Sequence, residues 1–265
     1  MLGGRYLIPL VLLAAAAAPT ACQNLGPGRA GFGISLAATD YQIRDEALNA
    51  IRHGGASLTL GFFRQGGNPD RRHRITFSVL VAGLGDRYAP ERGSLVARPN
   101  LDLRMGWRVT RPGRVTSLFL GGTAGWSTHW AFYEQWDEAH VYWLTSTRLG
   151  VDAVLEHDFG AGRSLQLEVD APVLALVSRP PSEFGYREVN PAPGSILREI
   201  HGRPRLASPA SHLALDLGLV YSRHREGALR HDVFLRMQYI RDTAPSSRPV
   251  TILTYRLGIS MPWPF

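Results

Sequence analysis

With 265 residues and a net charge of +7, the chain has length for one large barrel or for one to two globular domains. A single cysteine excludes a disulfide framework, and no apolar run is long enough to cross a bilayer as a helix. The basic side chains are all arginine or histidine and form no stripe, which excludes nucleic acid and leaves anionic headgroups or surface polysaccharide as the natural counter-charge.

The one continuous apolar segment, Tyr6 to Ala18, follows Arg5 and precedes Pro19-Thr20-Ala21-Cys22. A positive start, an apolar stretch and small residues at the exit read as a signal peptide over residues 1–22. Residues 23–29 are then a short N-terminal segment and 30–265 the folded domain. The Thr-Ala-Cys ending resembles a lipobox, which makes Cys22 a lipidation candidate. The alternative is an incidental cysteine beside an ordinary cleavage site.

From Ala30 onward the chain alternates. Near 30–42, Phe32, Ile34 and Leu36 oppose Gly33, Ser35 and Ala37, and near 55–65 Leu58, Leu60 and Phe62 oppose Ser57, Thr59 and Gly61. Near 72–85, Ile75, Phe77, Val79 and Val81 oppose Arg74, Thr76, Ser78 and Ala82. The cleanest run, near 97–110, sets Leu101, Leu103, Met105, Trp107 and Val109 against Asp102, Arg104, Gly106 and Arg108. Further runs lie near 114–128, 142–157, 163–177, 210–223 and 230–241. A period of two is that of a strand with one oily face, and no segment sustains helical periodicity. Asp45 to Arg52 alone has the makings of a short helix.

The tenth run, Leu253 to Phe265, is apolar at every second residue and stops on an aromatic. It resembles the closing strand of bacterial outer-membrane β-barrels. That resemblance implies that Tyr255, Leu257, Ile259, Trp263 and Phe265 are read by the barrel-assembly machinery. It also implies an outer-membrane location among lipid and lipopolysaccharide.

Runs of about 9–15 residues match tilted membrane-spanning strands. The connections alternate too: about 43–54, 86–96, 129–141, 178–209 and 242–249 are long, whereas 66–70, 111–113, 159–162 and 225–227 are tight. Short periplasmic turns and long outer loops give this asymmetry. Trp126, Trp143 and Tyr239 then fall near the outer rim, and Trp107, Tyr221 and Trp263 near the periplasmic one. The expected fold is all-β: an antiparallel up-and-down transmembrane barrel of about 10 strands.

The polar faces mix charges with Gly, Ser, Thr and Ala, which suits a narrow lumen better than a water-exposed surface. Arg104, Arg108, Arg148, Asp152, Glu156, Glu168, Asp170, Asp216, Asp232, Arg236 and Arg256 supply both signs, so a plugged, salt-bridged interior is expected. A structural or surface-recognition role follows, with a small-solute channel as one alternative.

The other alternative is an outer-rim hydrolase acting on lipid or peptide. Its candidates are Ser127, His129 and Asp137 or Glu138, since a hydroxyl, an imidazole and an acid can support acyl-ester chemistry. His129 and His140 do not have metal-ligand spacing, and no cofactor motif is present. The Pro- and Arg-rich 178–209 segment suits phosphate or sugar-acid groups of the outer leaflet, or forms a solvated lid.

Overall fold

The computed structural model describes residues 31–45, 49–86, 93–133, 140–179, 204–224, 230–244 and 249–264. Every regular element among them is a strand. In chain order these are β1 (Gly31–Asp45), β2 (Asn49–Asn68), β3 (Arg71–Asp86), β4 (Gly93–Arg108), β5 (Thr116–Tyr133) and β6 (His140–Gly160). They continue as β7 (Arg163–Ser178), β8 (Arg205–Ala207), β9 (His212–Arg223), β10 (His231–Asp242) and β11 (Val250–Pro264). The signal-peptide segment and Cys22 lie outside the described residues.

Each strand pairs antiparallel with its sequence neighbour, and β1 closes on β11 through fifteen residue pairs from Gly31↔Pro264 to Asp45↔Val250. Pro262 and Pro264 stand opposite Gly33 and Gly31 in this seam and do not interrupt it. β8 and β9 both pair with β7, through Ala175↔Ala207 and Asp170↔Asp216 respectively. They are therefore two parts of one barrel strand, interrupted by a tight turn in which Ser211 and His212 donate their amides to the Ser208 carbonyl. The result is a closed barrel of ten strands, as the alternation predicts.

The oily face looks outward. Leu101, Leu103, Met105, Trp107, Leu120, Leu149, Val151, Leu155 and Leu235 are all exposed, and Leu257 reaches 60 %. Their inward neighbours Arg148, Asp152, Glu168 and Asp170 are buried. In a water-soluble protein this arrangement would be inverted. It is stable only where lipid meets the outside and the charges meet one another.

The strands run further than the sequence suggests. β1 continues to Asp45 and β2 begins at Asn49, so the expected 43–54 loop and the helix within Asp45 to Arg52 give way to strand. β5 likewise extends to Tyr133 and β6 begins at His140, leaving 134–139 between them. The reason is a change of pattern with height. Above the lipid belt the outward face of β1 becomes polar (Asp40, Gln42, Arg44) and the inward face apolar (Tyr41, Ile43). Trp143 also departs from expectation, since it is buried at 3 % exposure; Trp107 and Tyr221 are exposed, as rim aromatics should be.

One wall irregularity matters for the interior. Leu149 pairs with Leu174 and Gly150 with Pro172, so Val173 has no partner on β6. This bulge makes Val173 and Leu174 both face out and switches the parity of β7 beyond it. Ala175 and Val177 consequently turn into the lumen.

Candidate functional site

The inward side chains form three layers. The middle layer is ionic and centred on Arg104, whose Nη1 lies 3.4 Å from Asp152 and 3.2 Å from Glu168, while Nη2 lies 3.7 Å from Asp170 and 4.0 Å from Asp216. Arg236 pairs with Glu168 and lies 3.8 Å from Asp216, and Arg256 reaches the other Asp216 oxygen at 3.6 Å. Arg148 donates to Asp102 and to Asn100, and the Thr123 hydroxyl donates to Asp170. Guanidinium groups satisfy several carboxylates at once because they carry five donors in a plane. That is what allows so many charges to sit away from bulk water.

Two features of these pairings are not given by parity alone. Asp102, placed on the inward face by its parity, proves to be the partner of Arg148. Arg108 instead sets its guanidinium 5.4 Å from the Phe119 ring centre. Arg72 and Arg230 complete the periplasmic side by pairing with Glu156 and Asp232. Both were legible in principle: Arg72 shares the parity of Arg74, Thr76 and Ser78 along β3.

The outer layer is mainly apolar, although Arg98, opposite Leu80, is buried at the same level. Tyr41, Ile43, Leu80, Leu84, Val96, Leu144, Val177, Ile240 and Ile252 form one buried cluster inside the barrel. Nothing in an apolar-out reading exposes them, because they occupy the face assigned to polar residues. At the cluster's edge the Tyr41 hydroxyl shares a 2.6 Å hydrogen bond with His129 Nδ1, and the two rings are parallel. Near the outer strand ends a second ionic cluster surrounds Asp242, which is fully buried. Arg179, Arg205 and His212 all reach its carboxylate, His212 Nδ1 at 3.1 Å. These partners come from the end of β7, from β8 and from the start of β9, so one carboxylate ties together the interrupted strand.

The catalytic candidates face the lumen. Ser127 Oγ shares a hydrogen bond with Ser146 Oγ at 3.2 Å, His129 pairs with Tyr41, and both are buried on β5. Asp137 and Glu138 lie outside the described residues, as does His140's side chain. Among the described residues no group of three or more His, Cys, Asp or Glu is arranged to hold a metal ion.

The third layer is a cavity of about 260 Å³ at the periplasmic end. Its walls include Arg72, Arg74 and Arg104, with Phe119, Val154 and Val220 between the charges. Asp158, Gly162, Arg163 and His224, next to the tight turns, form its rim.

No family model and no curated protein sequence matches this chain. Solved structures do. The outer membrane protease OmpT from Escherichia coli aligns with a TM-score of 0.51 at 8 % identity, over 93 % of this chain and 100 % of that one. The translocator domain of the autotransporter NalP from Neisseria meningitidis aligns at 0.44 and 10 % identity, over 96 % and 94 %. The transport unit of the autotransporter AIDA-I from Escherichia coli aligns at 0.41 and 7 % identity, over 95 % and 97 %. At such identities the likeness concerns the fold alone. With the oily exterior and the paired charges within, the chain has the bacterial outer-membrane β-barrel fold and is an outer-membrane protein.

Proposed function

We propose that the chain is a closed outer-membrane scaffold with a surface-recognition role, and that it neither conducts solutes nor relies on chemistry in its lumen. The observation that carries this reading is the stacking of the Arg104-centred ionic layer beneath the apolar layer of Tyr41, Leu80, Val96 and Ile252. An ion crossing the barrel would have to break multidentate pairs and then pass a level lined mainly by apolar side chains. With the lumen closed, the outer connections are what remains to meet a partner. The Arg- and Pro-rich stretch between β7 and β8 has a composition suited to phosphate or sugar-acid groups on the cell surface. Insertion by the barrel-assembly machinery through the Tyr255 to Phe265 strand belongs to the same reading.

Planar-bilayer recording of the purified barrel tests it. The expected result is an absence of stable unitary conductance, unchanged by Asp152→Asn. Steady unitary currents whose size changes on replacing Arg104 or Asp152 would establish the channel alternative instead. For the hydrolase alternative, a lipase or protease readout abolished by His129→Ala would be decisive against the scaffold.

A further inference from the structure

The walls and rim of the periplasmic cavity carry five arginines and five carboxylates, but these are not all matched with one another. Glu156 is engaged by Arg72 and accepts a hydrogen bond from Gln166 at 3.3 Å. Glu168 is shared by Arg104 and Arg236, and Asp152 lies 3.4 Å from Arg104. Asp232 is held by Arg230 at 2.9 Å and by the Ser260 hydroxyl at 3.5 Å. Asp158, at the rim, accepts the Gly160 amide at 2.7 Å.

Arg74 lines this same cavity and has no ion pair among the described residues. Its guanidinium lies 4.4 Å from the centre of the Phe63 ring, and its Nε is buried without a hydrogen-bond partner. Arg74 is half-buried and has donors that no described carboxylate takes up as an ion pair. An anion in the cavity would supply an acceptor for them. The space to do so is present: 260 Å³ corresponds to about eight or nine waters, or to one small organic molecule. Arg104 bounds the cavity on the side of the ionic layer, and its rim lies at the periplasmic turns.

We propose that this vestibule binds a small organic oxyanion from the periplasm. Its carboxylate or phosphate group pairs with Arg74, and its apolar part rests against Phe119, Val154 and Val220. The site is independent of whatever the outer loops recognise.

The test uses the full barrel in detergent micelles, titrated by calorimetry with sodium benzoate and with inorganic phosphate at constant ionic strength. At least one probe should saturate at millimolar concentration or below, and Arg74→Gln should weaken that binding about tenfold, equivalent to about 1.4 kcal/mol. Arg163→Gln, at the rim, should change it less than about twofold. Val154→Trp, which fills the cavity while keeping every charge, should abolish binding. It also serves if the Arg74 variant does not give the heat-modifiable band of a folded barrel. Failure of both probes to saturate, or binding unaffected by Arg74→Gln and Val154→Trp, overturns the proposal.

Discussion

At the level of single residues, Arg104 carries the largest electrostatic responsibility. Four carboxylates, on β6, β7 and β9, lie within 4.0 Å of its guanidinium. Arg104→Met would leave them facing one another with fewer cations, and a buried charge stripped of its partner typically costs about 3–5 kcal/mol. Urea unfolding in micelles should register a loss of that order, while Arg163→Gln at the cavity rim should be close to neutral. A smaller effect of opposite sign is expected at Ala161. This residue sits in the β6–β7 turn at φ 50°, flanked by Gly160 at φ 74° and Gly162 at φ 70°. A side chain in the left-handed region carries a penalty of about 1–2 kcal/mol that glycine avoids, partly offset by glycine's greater freedom when unfolded. Ala161→Gly should therefore stabilise the barrel by about 0.5–1 kcal/mol in the same measurement.

Among the elements, β7 shows how one extra residue redirects a strand. Before the bulge its inward residues are Gln166, Glu168 and Asp170; beyond it they are Ala175 and Val177. The switch leaves Leu174 and Leu176 on the lipid side and lets Arg179 meet Asp242 inside. Deleting Val173 removes the extra residue, so Leu174 follows Pro172 directly and Ala175, Val177 and Arg179 keep facing the lumen. The Arg179–Asp242 pair is then kept, and the unfolding free energy in micelles should fall by less than the ~3–5 kcal/mol that a buried charge stripped of its partner typically costs. A deletion variant that loses that much would show that the extra residue itself is needed for this register. The wall opposite is also less bonded. β7 pairs with β9 only up to Asp170↔Asp216 and with β8 only from Ala175↔Ala207. Amide exchange in the 171–174 and 211–215 peptides should accordingly be faster than in β3 and β4, whose ladder is unbroken from Arg71↔Trp107 to Gly85↔Gly93.

For the molecule as a whole, the governing fact is a contrast between outside and inside that varies with height. Leu103 and Leu257 lie in the lipid belt, whereas Asp40 belongs to the polar outward face above it. Leu103→Arg should reduce folding stability in lipid vesicles by about 2–4 kcal/mol, and Asp40→Arg by about 0–1 kcal/mol. Equal penalties at the two sites would mean that the belt is misplaced. The interior varies in the same direction, from an open cavity through an ionic layer to a mainly apolar one. Each side of the wall is thus matched to a different medium at each level.

Much of this was written into the residue order. Leu101 to Val109 alternate so strictly with Asp102 to Arg108 that strand, face and lipid exposure follow from a period of two. The tight turn at Pro69–Asp70 was equally plain, its Asn68 carboxamide accepting the Asp70 and Arg71 amides. Which charges meet could not be read, because parity assigns a side chain to the lumen but not a partner across it. Arg148 finding Asp102 depends on their neighbouring positions across the β4–β5–β6 wall, and Asp242 gathering Arg179, Arg205 and His212 depends on the bulge and on the break between β8 and β9. The buried cluster of Tyr41, Ile43 and Ile252 escaped for a related reason: above the lipid, the same alternation persists with its meaning reversed. Local order decided which way each residue points. Only closure of the ring, by bringing distant strands within a few ångströms, decided what each one touches.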